Sequence, residues 1–313
     1  MKNIKESFSE YASKCIINKE SQKRFSTAHL YRCALSSFSR FLNKSDIPFS
    51  SLSRDNLVAY GLYLKSNGKH QNTISTYMRM LRSIYNRAVD ENKAPYIHRQ
   101  FYDVYTGVEV NHKRVISTDD IKKLLFSDIE DKSLRDTQYI ATLLFGLCGI
   151  PFVDLAHLQH SDIKNNILSY NRTKTGTCVR IGILSEFQHI LHRISLDKDD
   201  YILPILSKGS TMDSKSGYME YQKALSSTNR NLRRLASSLG ISNIISTYTF
   251  RHSWATTAKY IGIPIEQISE MLGHKSITTT QTYLKAFNID KLTETNKKAV
   301  STARCFSAIN SAA

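Results

Sequence analysis

Three short blocks near the C-terminal end of the chain carry side chains that could perform phosphoryl-transfer chemistry. The first contains Arg251 and His252, the second is a Leu-Gly-His ending at His274 about twenty residues later, and the third ends at Tyr283, nine residues after that histidine. A guanidinium is a planar fork that matches two phosphate oxygens, and a tyrosine hydroxyl can act as a nucleophile. Each block alone is weak, but the three in this order and at this spacing form a specific pattern.

The pattern resembles the C-terminal signature of the tyrosine recombinase (phage integrase) family, including the integrases of conjugative and mobilisable elements. The resemblance covers about residues 115–295. It implies that Tyr283 is the nucleophile, which attacks a DNA phosphodiester and holds a 3′-phosphotyrosyl link until the strand is rejoined. It also implies that Arg251 clamps the phosphate and that His274 donates a hydrogen bond to it. Lys174 matches the family's lysine, which protonates the 5′-oxygen leaving group.

Two positions depart from the family's pattern. Tyr248 stands where a histidine is usual, three residues before the second arginine, and its hydroxyl can still donate or accept a hydrogen bond. The family's first arginine has no equivalent, because one alignment puts Pro151 in its place and another puts Cys148. The loss of one charged donor to a transition-state phosphate costs several kcal/mol, roughly two to three orders of magnitude in rate.

Three interpretations of the missing arginine remain open. Another cation could substitute for it, either Arg172 or a lysine or arginine from elsewhere in the chain. The protein could be a slow or partner-assisted recombinase, or it could be a DNA-binding relic with the same fold. This last alternative, a catalytically weak or inactive DNA-binding protein, can take residues 264–287 as a helix-turn-helix, but it leaves the Arg251 block and Lys174 unexplained. A type IB topoisomerase would share the tyrosine chemistry, and the compact two-domain length favours the recombinase.

The charge of the chain indicates a polyanionic partner. Its 313 residues carry a net charge of +16, and residues 1–107 hold 17 Lys and Arg against 8 Asp and Glu. The predicted partner is double-stranded DNA with short recognition sites, and the resemblance implies that four protomers act on two duplexes. The five cysteines show no zinc spacing, so we expect free thiols, no metal and no cofactor. With no long apolar run and a polar N-terminus, we expect a cytoplasmic protein without a membrane partner.

Helical periodicity dominates the first hundred residues, where four helices are predicted. The fourth begins near residue 71 and runs to residue 89, with Arg79 and Arg82 largely outside its apolar stripe. These two arginines suit phosphate contacts, although a solvated helix face is an equally good interpretation for either one. Periodicity is lost over residues 102–115, within which we place the interdomain linker, and Ser117 is predicted to cap the helix that follows.

Short β-like segments interrupt the helical pattern in the second half of the chain. Residues 167–172 and 178–183 flank a glycine turn that contains Lys174, which predicts a hairpin with Arg172 and Lys174 on one strand face. We predict a mainly α protein with a small antiparallel β-sheet in the catalytic domain, arranged as a two-domain DNA clamp. Its predicted parts are a helical SAM-like core-binding domain (1–105), a linker (106–115), a tyrosine recombinase catalytic domain (116–300) and a tail (301–313).

Overall fold

The computed structural model describes residues 6–109, 116–194, 201–284, 293–294, 296–298 and 300–301, without the side chains of Thr282 and Tyr283. The chain divides into two compact units, Met1–Asn111 with Thr211–Met219, and His112–Ser210 with Glu220–Ala313. The described residues are mostly helical and contain one small antiparallel sheet, which confirms the predicted fold class. No helix in this part of the chain is long and apolar enough to cross a membrane.

The first unit is a helical domain built on the four amphipathic segments that the sequence predicts. Their apolar faces meet in one core that includes Phe38, Tyr60 and Tyr85. Ser53 caps the third helix, because its side chain accepts a hydrogen bond from the backbone N–H of Asn56. The helices are α1 (Phe8–Ser21), α2 (Phe25–Leu42), α3 (Arg54–Ser66) and α4 (Gln71–Asp90).

The segment that follows α4 packs back onto the first unit. Ser75 Oγ donates to the carbonyl of Gly107 at 2.5 Å, and Asn72 exchanges two hydrogen bonds with the backbone of Glu109. Residues 106–109, which the sequence assigns to the linker, therefore contact α4. The rest of the predicted linker, residues 110–115, lies outside the described residues.

Further α-helices follow along the chain, most of them in the second unit. Ser117 caps the first of them through its contact with the Asp120 N–H, as the sequence predicts. The helices are α5 (Thr118–Phe126), α6 (Lys132–Gly146), α7 (Phe152–Ala156), α8 (Ser185–Ile194), α9 (Lys215–Ser238), α10 (Thr247–Tyr260), α11 (Ile265–Met271) and α12 (Ile277–Tyr283).

The sheet consists of β1 (Ile163–Lys164), β2 (Ile167–Asn171) and β3 (Cys178–Gly182) in sequential antiparallel order. Its hairpin lies where the sequence predicts it, whereas the two-residue β1 is too short for a period-two pattern to reveal. One expectation is wrong. Because β2 ends at Asn171, Arg172 and Lys174 lie in the connecting turn, and they do not share a strand face. Arg172 is buried and Lys174 is exposed.

Candidate active site

Arg251 is a buried cation of the second unit. It lies in the second turn of α10, beside the fully buried Phe250, and is only 2% exposed. Its Nη1 donates to the carbonyl of Gly149 at 2.8 Å, and its Nη2 donates to the carbonyl of Leu272 at 2.6 Å. A buried charge is costly unless its donors are satisfied, so these two carbonyls hold the guanidinium in place.

The turn before α7 approaches Arg251 closely. Gly149 has φ +69°, and a Cβ at this position would lie 3.0 Å from the Arg251 Cα. Cys148 and Pro151, the two positions that align with the missing first arginine, lie on this turn. Burial raises the pKa of the Cys148 thiol to about 11, which keeps it neutral. The turn therefore brings backbone to the site but supplies no cation from either position.

A second buried guanidinium reaches the site from the hairpin turn. Arg172, 7% exposed, donates from Nη1 to the same Leu272 carbonyl that Arg251 contacts. Its Nε lies 2.8 Å from Oδ2 of Asp154, a contact that is an ion pair and not an aligned hydrogen bond. The other oxygen of Asp154 accepts from the Thr173 N–H at 2.9 Å. Asp154, on α7, thus anchors the hairpin turn beside Arg251.

His274 completes the cluster. Its Nε2 lies 3.2 Å from Nη2 of Arg251, and its Nδ1 lies 2.8 Å from Oγ1 of the fully buried Thr280. Burial is the largest cause that lowers the pKa of His274 to about 4, followed by the charges of Arg251, Arg172 and Lys174. The imidazole is therefore neutral at physiological pH.

The lowered pKa of His274 makes the second unit acid-sensitive. The unfolded chain, with an ordinary imidazole pKa of 6.5, binds more protons than the folded chain between pH 6.5 and 4. Stability is therefore lost as the pH falls through this window. We expect His274→Gln to make the free energy of unfolding less dependent on pH in this window than it is in wild type. Urea unfolding followed by fluorescence of Trp254, the single tryptophan, measures this dependence in both proteins. An identical pH dependence of the free energy of unfolding in wild type and His274→Gln would contradict the expectation.

Two further predicted site residues lie around this cluster. Lys174 is exposed on the hairpin turn, and its charge helps to lower the pKa of His274. The same turn is joined to the Leu-Gly-His loop through Thr175 Oγ1, which lies 3.4 Å from the Gly273 carbonyl. Tyr248 is 41% exposed on α10, one turn before Arg251, and its ring meets that of His252 edge-on at 4.8 Å.

Tyr283 is the last residue of α12, and the structure describes its backbone but not its side chain. The next residue fixes the end of this helix. Leu284 donates its N–H to the Thr280 carbonyl at 2.9 Å and packs in a cluster with Leu272 and Ile268. Thr280 also contacts His274, so α12 is anchored to the site within one turn of Tyr283.

Sequence reasoning missed parts of this arrangement. Thr280 is one of three consecutive threonines, and nothing in the pattern singles it out as the partner of His274. The pairing of Asp154 with Arg172 also leaves no signal in the sequence. The Leu272 carbonyl carries no sequence signal, since every residue has a carbonyl.

The two arginines predicted to bind DNA in the first unit are half-buried on α4. Arg79 Nη2 lies 3.4 Å from Thr76 Oγ1, and Arg82 Nη1 lies 3.4 Å from Thr106 Oγ1. Their role in phosphate binding stays a prediction. Among the residues that the structure describes, no group of three or more His, Cys, Asp or Glu side chains could hold a metal ion.

In the second unit, buried arginines and a histidine lie beside a helix that ends in tyrosine. Comparison with family models assigns both units to one class of protein. The phage integrase SAM-like domain matches residues 7–106, and the phage integrase family matches residues 114–288. The chain belongs to the phage integrase family of tyrosine recombinases, which confirms the expectation from the sequence.

Relatives and solved structures are consistent with this assignment. Tyrosine recombinase XerD of Listeria innocua serovar 6a is 26% identical over 249 residues, covering 74% of this chain and 78% of the relative. A tyrosine recombinase of Agathobacter rectalis is 31% identical over 178 residues, covering 52% and 55%.

Two structures of DNA complexes share the fold. The Tn1549 transposon integrase with a circular intermediate DNA superposes with a TM-score of 0.64 at 15% identity, covering 93% of this chain and 99% of that one. A lambda integrase tetramer bound to a Holliday junction gives a TM-score of 0.61 at 17% identity, covering 83% and 72%.

Proposed function

We propose that the protein is a site-specific recombinase that cuts and rejoins DNA through a 3′-phosphotyrosyl intermediate at Tyr283. The observation that carries this proposal is the convergence of Arg251, Arg172 and His274 on the loop that leads into α12, the helix ending at Tyr283. Phosphoryl transfer depends on positioning and on stabilising charge at the non-bridging oxygens, and this cluster can supply both.

In this proposal Arg251 binds the scissile phosphate. Its planar fork, which donates to the carbonyls of Gly149 and Leu272, matches two phosphate oxygens. His274 donates a hydrogen bond to the same phosphate, and Tyr248 takes the place of the family's histidine at the edge of the site. Lys174, on the exposed hairpin turn, protonates the 5′-oxygen as it leaves.

Arg172 is the proposed replacement for the missing first arginine. It shares the Leu272 carbonyl with Arg251, so the two guanidiniums lie side by side. Asp154 holds Arg172 from α7, the helix that follows the Cys148–Pro151 turn. The cation thus comes from the hairpin, whereas the family's pattern takes it from the segment before α7. This arrangement favours substitution over the other two interpretations of the missing arginine.

The proposed substrate is duplex DNA with short recognition sites, bound by a homotetramer on two duplexes. The basic charge of the chain supports a DNA partner, and the lambda integrase neighbour is a tetramer bound to a Holliday junction. The phosphotyrosyl link conserves the energy of the cleaved bond for rejoining, so the proposed reaction needs no ATP.

A covalent-trapping experiment tests the nucleophile. A duplex is first selected from a random-sequence library by binding to the full chain, and a nick is then placed so that the cleaved end diffuses away. We expect wild type to form a protein–DNA adduct on a denaturing gel and Tyr283→Phe to form none, because phenylalanine lacks the attacking oxygen. Tyr260→Phe, on α10, is the matched control and should form the adduct.

Two outcomes would contradict the proposal in different ways. An adduct that survives Tyr283→Phe would remove this residue as the nucleophile. Binding of the selected duplex by wild type without any adduct would select the alternative, a catalytically inactive DNA-binding protein of the same fold. In that alternative α11 and α12 would act as the helix-turn-helix, although α12 offers a recognition helix of only 7 residues.

A further inference from the structure

The described contacts place the proton of His274 on the nitrogen that faces away from Arg251. Arginine has no acceptor, so the Arg251 Nη2 that lies 3.2 Å from Nε2 must donate, and Nε2 must carry a lone pair. The proton of the neutral ring is then on Nδ1, which donates to Thr280 Oγ1 at 2.8 Å. A phosphate oxygen only accepts hydrogen bonds. His274 therefore has to change state before Nε2 can donate to DNA.

One route to a donating Nε2 is protonation of the ring to imidazolium, and the surroundings oppose it. Arg251 on α10 and Arg172 and Lys174 on the hairpin turn all place positive charge near the ring. The carboxylate of Asp154 is already paired with Arg172 at 2.8 Å. Burial and these cations lower the pKa of His274 to about 4, so the charged ring is disfavoured at neutral pH.

The other route is a change of tautomer, and the partner at Nδ1 decides whether it is possible. The hydroxyl of Thr280 can accept a hydrogen bond from Nδ1–H, and by rotating it can also donate one to a bare Nδ1. Thr280 is fully buried on α12, so the hydroxyl stays beside the ring. A carboxylate at this position would favour imidazolium, and an apolar side chain would leave a buried ring nitrogen unsatisfied.

We propose that Thr280 is a positioning residue that lets neutral His274 change from accepting the Arg251 hydrogen bond to donating one to a DNA phosphate. Nδ1 releases one proton to solvent and Nε2 takes one from solvent, so the ring gains no charge. The DNA-bound half of this inference rests on the proposed function. The DNA-free half depends only on the contacts among Arg251, His274 and Thr280.

Nitrogen NMR of the full chain, labelled with ¹⁵N-histidine, tests both halves. The His274 signals are assigned by their loss in His274→Gln. In DNA-free protein we expect a neutral ring with the proton on Nδ1 from about pH 5.5 to 8, below and above the ordinary histidine pKa. In the complex of Tyr283→Phe with the selected duplex we expect a neutral ring with the proton on Nε2. Imidazolium in the complex, or a proton on Nε2 in the free protein, would overturn the proposal.

Variants of Thr280 connect the tautomer to the reaction. We expect Thr280→Val to lower single-turnover cleavage by about tenfold, the effect of one lost hydrogen bond, and to change the DNA-free NMR signature. Thr280→Ser should restore both, because it keeps the hydroxyl. Thr279→Val, at the exposed neighbouring position on α12, is the matched control.

The outcomes separate this inference from the proposed function. If Thr280→Val cleaves DNA at the wild-type rate and gives the wild-type ¹⁵N spectrum of His274, the positioning role is wrong. If no Tyr283-dependent adduct forms at all, the recombinase proposal fails. The spectra of the protein without DNA still show whether Nδ1 of His274 carries the proton that Thr280 accepts. If Thr280→Val does not fold, the spectrum of Thr280→Ser decides, since it must retain the proton on Nδ1.

Discussion

Replacement of Arg172 by alanine is expected to lower single-turnover cleavage of the nicked duplex by about two to three orders of magnitude, the usual effect of losing one charged donor to the transition state. The reason is the position of its guanidinium, which shares the Leu272 carbonyl with Arg251. Arg180→Ala, at an exposed position on the same hairpin, is the matched control and should cleave within about threefold of wild type, as expected for an exposed side chain.

A loss of folding must be separated from a loss of chemistry, because Arg172→Ala leaves Asp154 buried without its ion-pair partner. Such an orphaned charge destabilises a protein by about 3–5 kcal/mol. The double variant Arg172→Met with Asp154→Asn removes both charges and keeps an acceptor for the Thr173 N–H. We expect its urea midpoint to return toward that of wild type while cleavage stays low. Wild-type cleavage by the double variant would show that Arg172 is only structural.

The second large effect is expected for Gly273→Ala, which should destabilise the second unit by about 2–5 kcal/mol, the sum of backbone strain and overpacking. Gly273 has φ +63°, a conformation that favours glycine. A Cβ there would lie 2.6 Å from Val179 Cγ2 and 2.8 Å from Arg172 Cγ. The change therefore forces apart the hairpin and the Leu-Gly-His loop, and we expect cleavage to fall with stability.

Gly176→Ala separates the two contributions. This glycine has a similar φ of +69°, but a Cβ would meet no atom within 4 Å. Only the backbone strain of about 1–2 kcal/mol should remain. Urea unfolding followed by Trp254 fluorescence measures both variants in the same unit. Equal destabilisation by the two substitutions would contradict the close packing of Gly273 against the hairpin.

Much of the local structure could be predicted from the sequence, because helical periodicity and capping record interactions over three or four residues. The helix after Ser117 and the hairpin around Lys174 are examples, and both lie where they are predicted. The spacing of Arg251, His274 and Tyr283 also identifies the family, since these residues occupy consecutive elements of one motif.

The missing arginine shows what local pattern does not contain. The sequence shows that Cys148 and Pro151 are not cations, and it makes Arg172 a candidate. Its place beside Arg251 depends on contacts between residues 100 positions apart, Arg172 and Leu272. The sequence also predicts a strand face shared by Arg172 and Lys174. The structure instead ends β2 at Asn171 and buries Arg172, because Asp154 and the Leu272 carbonyl satisfy its guanidinium.

The sequence by itself therefore determined the fold class, the family and the residue types of the site. Only the tertiary structure decided how those residues are held: the two carbonyls on Arg251, the carboxylate on Arg172 and the hydroxyl on His274. The physical reason is that a buried polar group must find a partner wherever packing brings one. Those partners come from loops and helix ends far apart in the chain, where no periodicity records them.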